Sequence, residues 1–153
     1  MINKEEWIKN IIIVSGGFDP VHKGHIRMFR EAANLGAQVI VGLNSDDWLT
    51  RKKGKPFMKW DERAEILESC KFVNQVIAFN DSDNTANEAI RSVYDMFDYQ
   101  NKDYKIYFAN GGDRGKGNVP ELDVCRDLNV TMLWGIGGGK IQSSSWLIDG
   151  GKK

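Results

Sequence analysis

Several kinds of chemistry are excluded by what this chain has little of. Cysteine occurs twice, at Cys70 and Cys125, in no C-x-x-C or metal-ligand spacing, so neither a disulfide framework nor a thiolate zinc site is expected. The pair reads as unpaired thiols in a reducing, cytoplasmic compartment. Charge of neither sign prevails, since 21 Lys and Arg balance 21 Asp and Glu. No global field therefore recruits nucleic acid or an acidic membrane, and any anion site must be local. There is no basic stripe with interleaved aromatics, which argues against a nucleic-acid partner. No apolar run approaches the roughly 20 residues of a transmembrane helix, and Met1 to Lys9 lack the apolar core of a signal peptide, so no membrane partner is expected. The Gly-x-Gly-x-x-Gly fingerprint is missing from the first turn, which disfavours a nicotinamide cofactor.

Histidine is as scarce as cysteine, yet both copies, His22 and His25, fall in one segment, Ser15-Gly-Gly-Phe-Asp-Pro-Val-His-Lys-Gly-His-Ile26. Asn10 to Val14 before it reads as a short buried strand. Ile26, Phe29, Ala33 and the Gly36 stop after it read as an amphipathic helix. Residues 15 to 22 are then a turn feeding a helix N-terminus, where unpaired N–H groups and the dipole favour an anion. Gly16, Gly17 and Gly24 leave room for a phosphate to approach the backbone. At i and i+3 the two imidazoles share a helix face and can address the same phosphate oxygens. Two readings compete: structural histidines satisfied by hydrogen bonds, which could explain either residue alone but not the whole string, and zinc, for which a catalytic site usually takes three protein ligands while no third histidine exists, so no metal ligand is assigned.

Strand and helix signals alternate along the chain, which predicts one α/β domain over 1–153: a Rossmann-like parallel sheet of about five strands with helices on both faces. At this length a single core buries about 68–70% of the unfolded surface. Expected strands are 10–14, 38–43, 75–79, 105–109 and 130–134. Expected helices run over roughly 61–70, with Asp61 as N-cap and Ile66 and Leu67 inward, and over 84–97, with Ala86, Ile90, Val93 and Phe97 on one face. Another opens at Asn118 with Pro120 in its first turn. Residues 15–25, 44–47, 110–117 and 135–145 all follow strands and should gather at the carboxyl edge of the sheet, where such folds bind ligands. Trp48, Trp60, Trp134 and Trp146 lie on separate elements, which favours packing over a base-stacking platform.

The string Gly17-Phe18-Asp19 followed by His22-Lys23-Gly24-His25 resembles the HxGH signature of the nucleotidyltransferase superfamily, in its cytidylyltransferase-like group, which includes glycerol-3-phosphate cytidylyltransferase and the heptose-phosphate adenylyltransferases. The resemblance extends through Val41 to Asp46, Lys53 to Lys55, Asp61-Glu-Arg63, Gly111-Gly-Asp113 and Ser143-Ser-Ser145. Gly17 departs from the Thr or Cys frequent in relatives. The segment Gly137-Gly-Gly-Lys140-Ile-Gln142 stands where some cytidylyltransferases carry Arg-Thr-Glu-Gly. The resemblance implies transfer of a nucleoside monophosphate from a nucleoside triphosphate to a phosphorylated small molecule, releasing pyrophosphate, with Mg²⁺ carried in on the triphosphate. It also implies a homodimer.

On that basis His22, His25, Lys53 and Arg63 are the expected catalytic residues. Gly16, Gly17, Phe18, Asp19, Gly24, Lys55, Gly111, Asp113, Ser143, Ser144 and Ser145 are the expected nucleotide-binding residues. Each basic group also has a plain alternative: Arg51 to Lys55 as a solvated loop freed by Gly54, and Arg63 as a surface ion pair. Asp19 before Pro20 can simply shape the turn, Asp113 can be a turn aspartate, and the three serines can be helix caps. CTP is favoured over ATP, because backbone-rich loops after the fourth and fifth strands suit a small pyrimidine edge. A non-catalytic nucleotide-binding module and an oligomeric interaction protein with purely structural glycine loops are the rival classes.

Overall fold

The computed structural model describes residues 9–98, 103–110 and 119–136. Within them run β1 (Asn10–Gly16), α1 (Lys23–Asn34), β2 (Gln38–Leu43), α2 (Asp46–Lys53), α3 (Trp60–Glu68), β3 (Gln75–Ala78), α4 (Asn87–Asp98), β4 (Lys105–Asn110), α5 (Leu122–Asp127) and β5 (Thr131–Trp134). The strands form one sheet in the order β3-β2-β1-β4-β5, and every pairing is parallel. The chain winds outward from β1 to β3 and then crosses back to β4. Strand order therefore reverses between β1 and β4, which places a crevice beyond Gly16 and Asn110.

Alternation along β1 explains the two layers. Ile12 and Val14 face a cluster with Phe29 and Ala32 of α1 and Ala64 and Leu67 of α3. Ile11 and Ile13 face another, with Ile90, Val93 and Phe97 of α4 and Val124 and Cys125 of α5. Side chains of this size stabilise the fold by about 1.5–3 kcal/mol each when fully buried. Across the second layer the Glu121 carboxylate accepts a hydrogen bond from Ala86 N at 2.8 Å, capping α4 from a distant element. Both cysteines are free thiols. Burial, with the Glu121 charge nearby, pushes the Cys125 thiol up to about 12, leaving it protonated and inert.

The five-strand parallel sheet with helices on both faces matches the expected architecture, but four local expectations are corrected. Residues 46–53 are a helix, not a strand exit leading into a loop: Ser45 Oγ accepts from Trp48 N at 3.0 Å, Asp46 and Asp47 occupy the first turn and Arg51, Lys52 and Lys53 the last. That charge order matches the helix dipole, and Gly54 ends the helix at φ 98°. Helix α3 begins at Trp60 after Lys59, so Asp61 lies in its first turn and is not the cap. Its buried residues are Arg63, Ala64 and Leu67, and Ile66 is 40% exposed because it falls off that stripe. The helix expected from Asn118 opens at Leu122, and Pro120 stands in the turn before it, closed by Leu122 N to Val119 O at 3.2 Å. The segments carrying Gly111, Asp113, Ser143, Ser144, Ser145 and Trp146 lie outside the described residues.

Candidate active site

The turn after β1 brings the two imidazoles together at the start of α1. His22, extended at φ −138°, is the N-cap of α1, and its Nδ1 accepts from Gly24 N at 3.1 Å. His25 in the first turn reaches back, its Nδ1 accepting from His22 N at 3.2 Å. A backbone N–H can only donate, so both Nδ1 atoms are acceptors and each neutral ring carries its proton on Nε2. The rings stack at 3.7 Å and 22°, so the two imidazoles form one unit. Burial, assisted by the His22 charge, depresses His25 to about 4. At neutral pH it is therefore an uncharged donor.

Two neighbouring residues, Gly24 and Phe18, hold this pair in place. A Cβ at position 24 would stand 3.0 Å from His22 Cε1, so Gly24 makes room for the imidazole. Phe18, 6% exposed with φ 47°, sets its ring edge-on to His25 at 4.7 Å and against Phe29 at 5.4 Å. Its side chain thus supports His25 from the core, where a nucleotide contact was expected. Gly17 has its own reason to lack a side chain, because a Cβ there would meet Leu49 Cδ2 at 2.9 Å and Trp48 Cζ3 at 3.3 Å. Packing of α2 against the turn accounts for the departure from Thr or Cys. At Gly16 a Cβ would touch the Phe18 ring at 3.1 Å.

Asp19 ties the 53–58 segment to this turn. Its side chain is 2% exposed and accepts from Phe57 N at 2.6 Å and Met58 N at 2.7 Å, with Lys53 Nζ at 2.8 Å. Burial alone would raise its carboxyl, but the Lys53 contact and the two backbone donors outweigh it and hold the group below the usual carboxylate range. Lys53 also donates to Asp19 O at 3.0 Å. Lys55 is exposed just beyond Gly54. Phe57, pinned through its backbone, leaves its ring 74% exposed.

Arg63 is placed where neither of its expected roles applies, being 1% exposed and neither a surface ion pair nor open to phosphate. Nε donates to Met58 O at 2.9 Å, Nη1 to Gly17 O at 2.9 Å and Asn44 O at 2.8 Å, and Nη2 to Asp46 Oδ1 at 2.6 Å. The guanidinium fork bolts the β1 turn, the β2 exit and the 56–58 segment together. Sequence reasoning missed a second bolt entirely. The Asp81 carboxylate accepts from Asn44 Nδ2 at 3.0 Å, Ser45 N at 2.7 Å and Ser45 Oγ at 2.8 Å. Its partners stand 36 and 37 residues away, beyond any local signal.

Among the described residues no group of three or more His, Cys, Asp or Glu could hold a metal ion. Asp19, the carboxylate nearest the histidines in sequence, has both oxygens taken by N–H donors and Lys53. A protein-built cation site does not fit these residues. No helix among them is long and apolar enough to cross a membrane.

The sequence and the fold have counterparts elsewhere. Residues 13–131 match the family model described as cytidylyltransferase-like. The chain is 34% identical over 127 residues to the Bifunctional protein HldE of a Nitratiruptor species, a match covering 82% of this chain and 27% of that protein. To the protein of the same name from Gluconobacter oxydans it is 29% identical over 137 residues, 84% of this chain and 28% of that one. To ethanolamine-phosphate cytidylyltransferase of Arabidopsis thaliana it is 36% identical over 69 residues, 44% of this chain and 16% of that protein. The chain thus spans less than a third of the length of these curated relatives. The crystal structure of the lipopolysaccharide core biosynthesis protein from Thermoplasma volcanium GSS1 superposes with a TM-score of 0.62 at 19% identity, over 82% of this chain and 94% of that one, and shares the fold. With the family model spanning both the site and most of the sheet, this chain belongs to the cytidylyltransferase-like family of nucleotidyltransferases.

Proposed function

We propose that the protein transfers a nucleoside monophosphate from a nucleoside triphosphate to a phosphorylated small molecule. The observation that carries this reading is the stacked pair His22 and His25 at a helix N-terminus, whose Nδ1 atoms are held by backbone donors so that Nε2–H of each ring is left to donate. An oxygen of the acceptor's phosphate attacks the α-phosphorus. The bond from α-phosphorus to the α–β bridging oxygen breaks, and pyrophosphate leaves with that electron pair. No covalent enzyme intermediate is needed, so catalysis rests on orientation and on stabilising charge at the α-phosphate. His22 and His25 donate to its oxygens as that charge builds. Lys53 and Lys55 meet the remaining phosphates, with Lys53 exchanging its Asp19 contact for them, while Gly111, Asp113 and Ser143 to Ser145 contribute to the nucleotide site as the resemblance implies. Phe18, Asp19 and Arg63 orient the loops. Mg²⁺ enters bound to the triphosphate and offsets its charge.

CTP is the favoured donor. The similarity of positions 44–63 to glycerol-3-phosphate cytidylyltransferase and the relative named for cytidylyl transfer support it. ATP is the second reading, favoured by the absence of the Arg-Thr-Glu-Gly segment and by the likeness to heptose-phosphate adenylyltransferases. The acceptor class is a polyol, sugar or amino-alcohol phosphate. A cytoplasmic homodimer is the expected setting. A screen of CTP, ATP, GTP and UTP with Mg²⁺ against phosphorylated acceptors, read as pyrophosphate release, tests the assignment. Release with CTP and one acceptor supports it, and faster release with ATP replaces the cytidylyl assignment. No release despite triphosphate binding supports the non-catalytic binding module instead.

A further inference from the structure

Asp81 takes no part in the chemistry just described, yet its 4%-exposed carboxylate receives three hydrogen bonds, all from the two residues that lead into α2. Burial alone would raise this carboxyl, but the Asn44 and Ser45 bonds and the Arg51 charge hold it below the usual carboxylate range. Ser45 is the N-cap of α2, so the hydroxyl that caps the helix is the one that donates to Asp81 Oδ1. At the far end of the same helix Arg51 donates to Asp81 O at 2.8 Å and to Asn84 Oδ1 at 3.0 Å. Both ends of α2 are thus tied to the 81–84 turn. Helix α2 has eight residues and buries only Leu49, so apolar packing holds it weakly and a helix this short has little stability of its own. Polar ties decide where it sits. Lys53, its last residue, is bonded to Asp19 in the turn that leads to the histidines, and Lys55 stands exposed two positions on.

We infer that Asp81 is a positioning residue of the triphosphate site, fixing α2 through Asn44 and Ser45 so that Lys53 and Lys55 stand where phosphate oxygens arrive. The inference rests on the nucleotidyl-transfer reading. Asp81 reaches the cations through α2 and makes none of its bonds to the turn that carries His22 and His25. Its loss should therefore weaken phosphate binding more than it slows the chemical step.

Wild type, Asp81→Asn and Arg51→Gln are compared in calorimetric affinity for inorganic tripolyphosphate and in KM and kcat for pyrophosphate release from Mg²⁺-CTP and Mg²⁺-ATP in the presence of the panel of phosphorylated acceptors. Asparagine keeps the shape but turns an amide toward the Asn44 and Ser45 donors. It is expected to weaken tripolyphosphate binding and raise KM about tenfold while kcat changes less than about threefold. Arg51→Gln, which loses exposed bonds, should move both in the same direction by about threefold. Unchanged tripolyphosphate affinity and KM in folded Asp81→Asn would overturn the inference, as would a fall in kcat at constant KM. If Asp81→Asn does not fold, wild-type values in Arg51→Gln overturn it. Absence of turnover in the wild type with every triphosphate overturns the transfer reading instead, and the tripolyphosphate titration still decides the placement of the cations.

Discussion

The turn after β1 and the segments that follow β2 and β3 border the same edge of the sheet, but they dispose of their polar groups in opposite ways. In the first, backbone donors occupy Nδ1 of each histidine and leave Nε2 without a partner among the described residues, with His22 exposed and His25 partly buried. In the second, Arg63 and Asp81 are buried and satisfied by carbonyls, amides and a serine hydroxyl. A charged residue at a family site position is therefore no guide to its task. On the proposed reading, unspent hydrogen-bonding capacity marks the chemistry, and spent capacity marks the frame that holds it.

The comparison breaks most visibly at Arg63. Arg63→Ala strands the carbonyls of Gly17, Asn44 and Met58 and leaves Asp46 unpaired, so a loss of about 3–5 kcal/mol in unfolding free energy is expected in urea titration. Arg63→Lys should recover little, since a single ammonium cannot replace a planar fork bonded on all three nitrogens. A wild-type urea midpoint for Arg63→Ala would show the bolt to be idle and would return Arg63 to the candidate phosphate ligands.

The opposite outcome is expected at the histidine pair. His22→Ala and His25→Ala should each lower kcat by at least about a hundredfold, the effect of removing one transition-state donor, while losing only about 1 kcal/mol of stability through the helix cap. Near wild-type turnover at saturating substrate in either variant would remove that histidine from the mechanism. Together with Arg63→Ala, the pair of measurements separates the open region from the closed one.

How much of this is legible in the sequence follows the same division. The strands and the histidine turn announce themselves locally: Asn10 to Val14 holds a continuous apolar run, and His22 and His25 are three residues apart beside glycines. Helix α2 is also signalled, by Ser45-Asp-Asp at its start and Arg51-Lys-Lys-Gly54 at its end, but a cationic run closed by glycine reads just as readily as a solvated loop. Ile66 points inward by residue type, although Arg63, Ala64 and Leu67 define the stripe. The role of Arg63 depends on carbonyls 19 and 46 residues away, and that of Asp81 on donors 36 and 37 away. Such contacts leave no spacing to read.

A smaller effect is expected at the boundary between the two regions. Lys53 is paired with Asp19 and poised beside the turn, so Lys53→Ala should weaken triphosphate binding by about tenfold and Lys55→Ala by less, in titration calorimetry at low salt. Equal affinity for both variants and the wild type would make the run a solvated surface.

The smallest effect sharpens the account of why His25 is neutral. His25 titrates at about 4 in the folded chain, against about 6.5 when unfolded. Between those values the unfolded chain binds the extra proton, so the stability linked to His25 is fully present above about pH 6.5 and is lost as pH falls toward about 4. After allowance for partial solvent screening, the loss between about pH 7.5 and about pH 5 is on the order of 1 kcal/mol. Asp19 and Asp81 are held below the usual carboxylate range, so their stabilising contributions fade only at lower pH, outside most of this window. The rings that face His25 are Phe18, which cannot ionise, and His22. Urea midpoints across this range should therefore slope in the wild type and flatten in His25→Gln, whose amide does not titrate. Equal slopes would mean that His25 keeps an ordinary affinity for protons and is no longer an uncharged donor throughout this range.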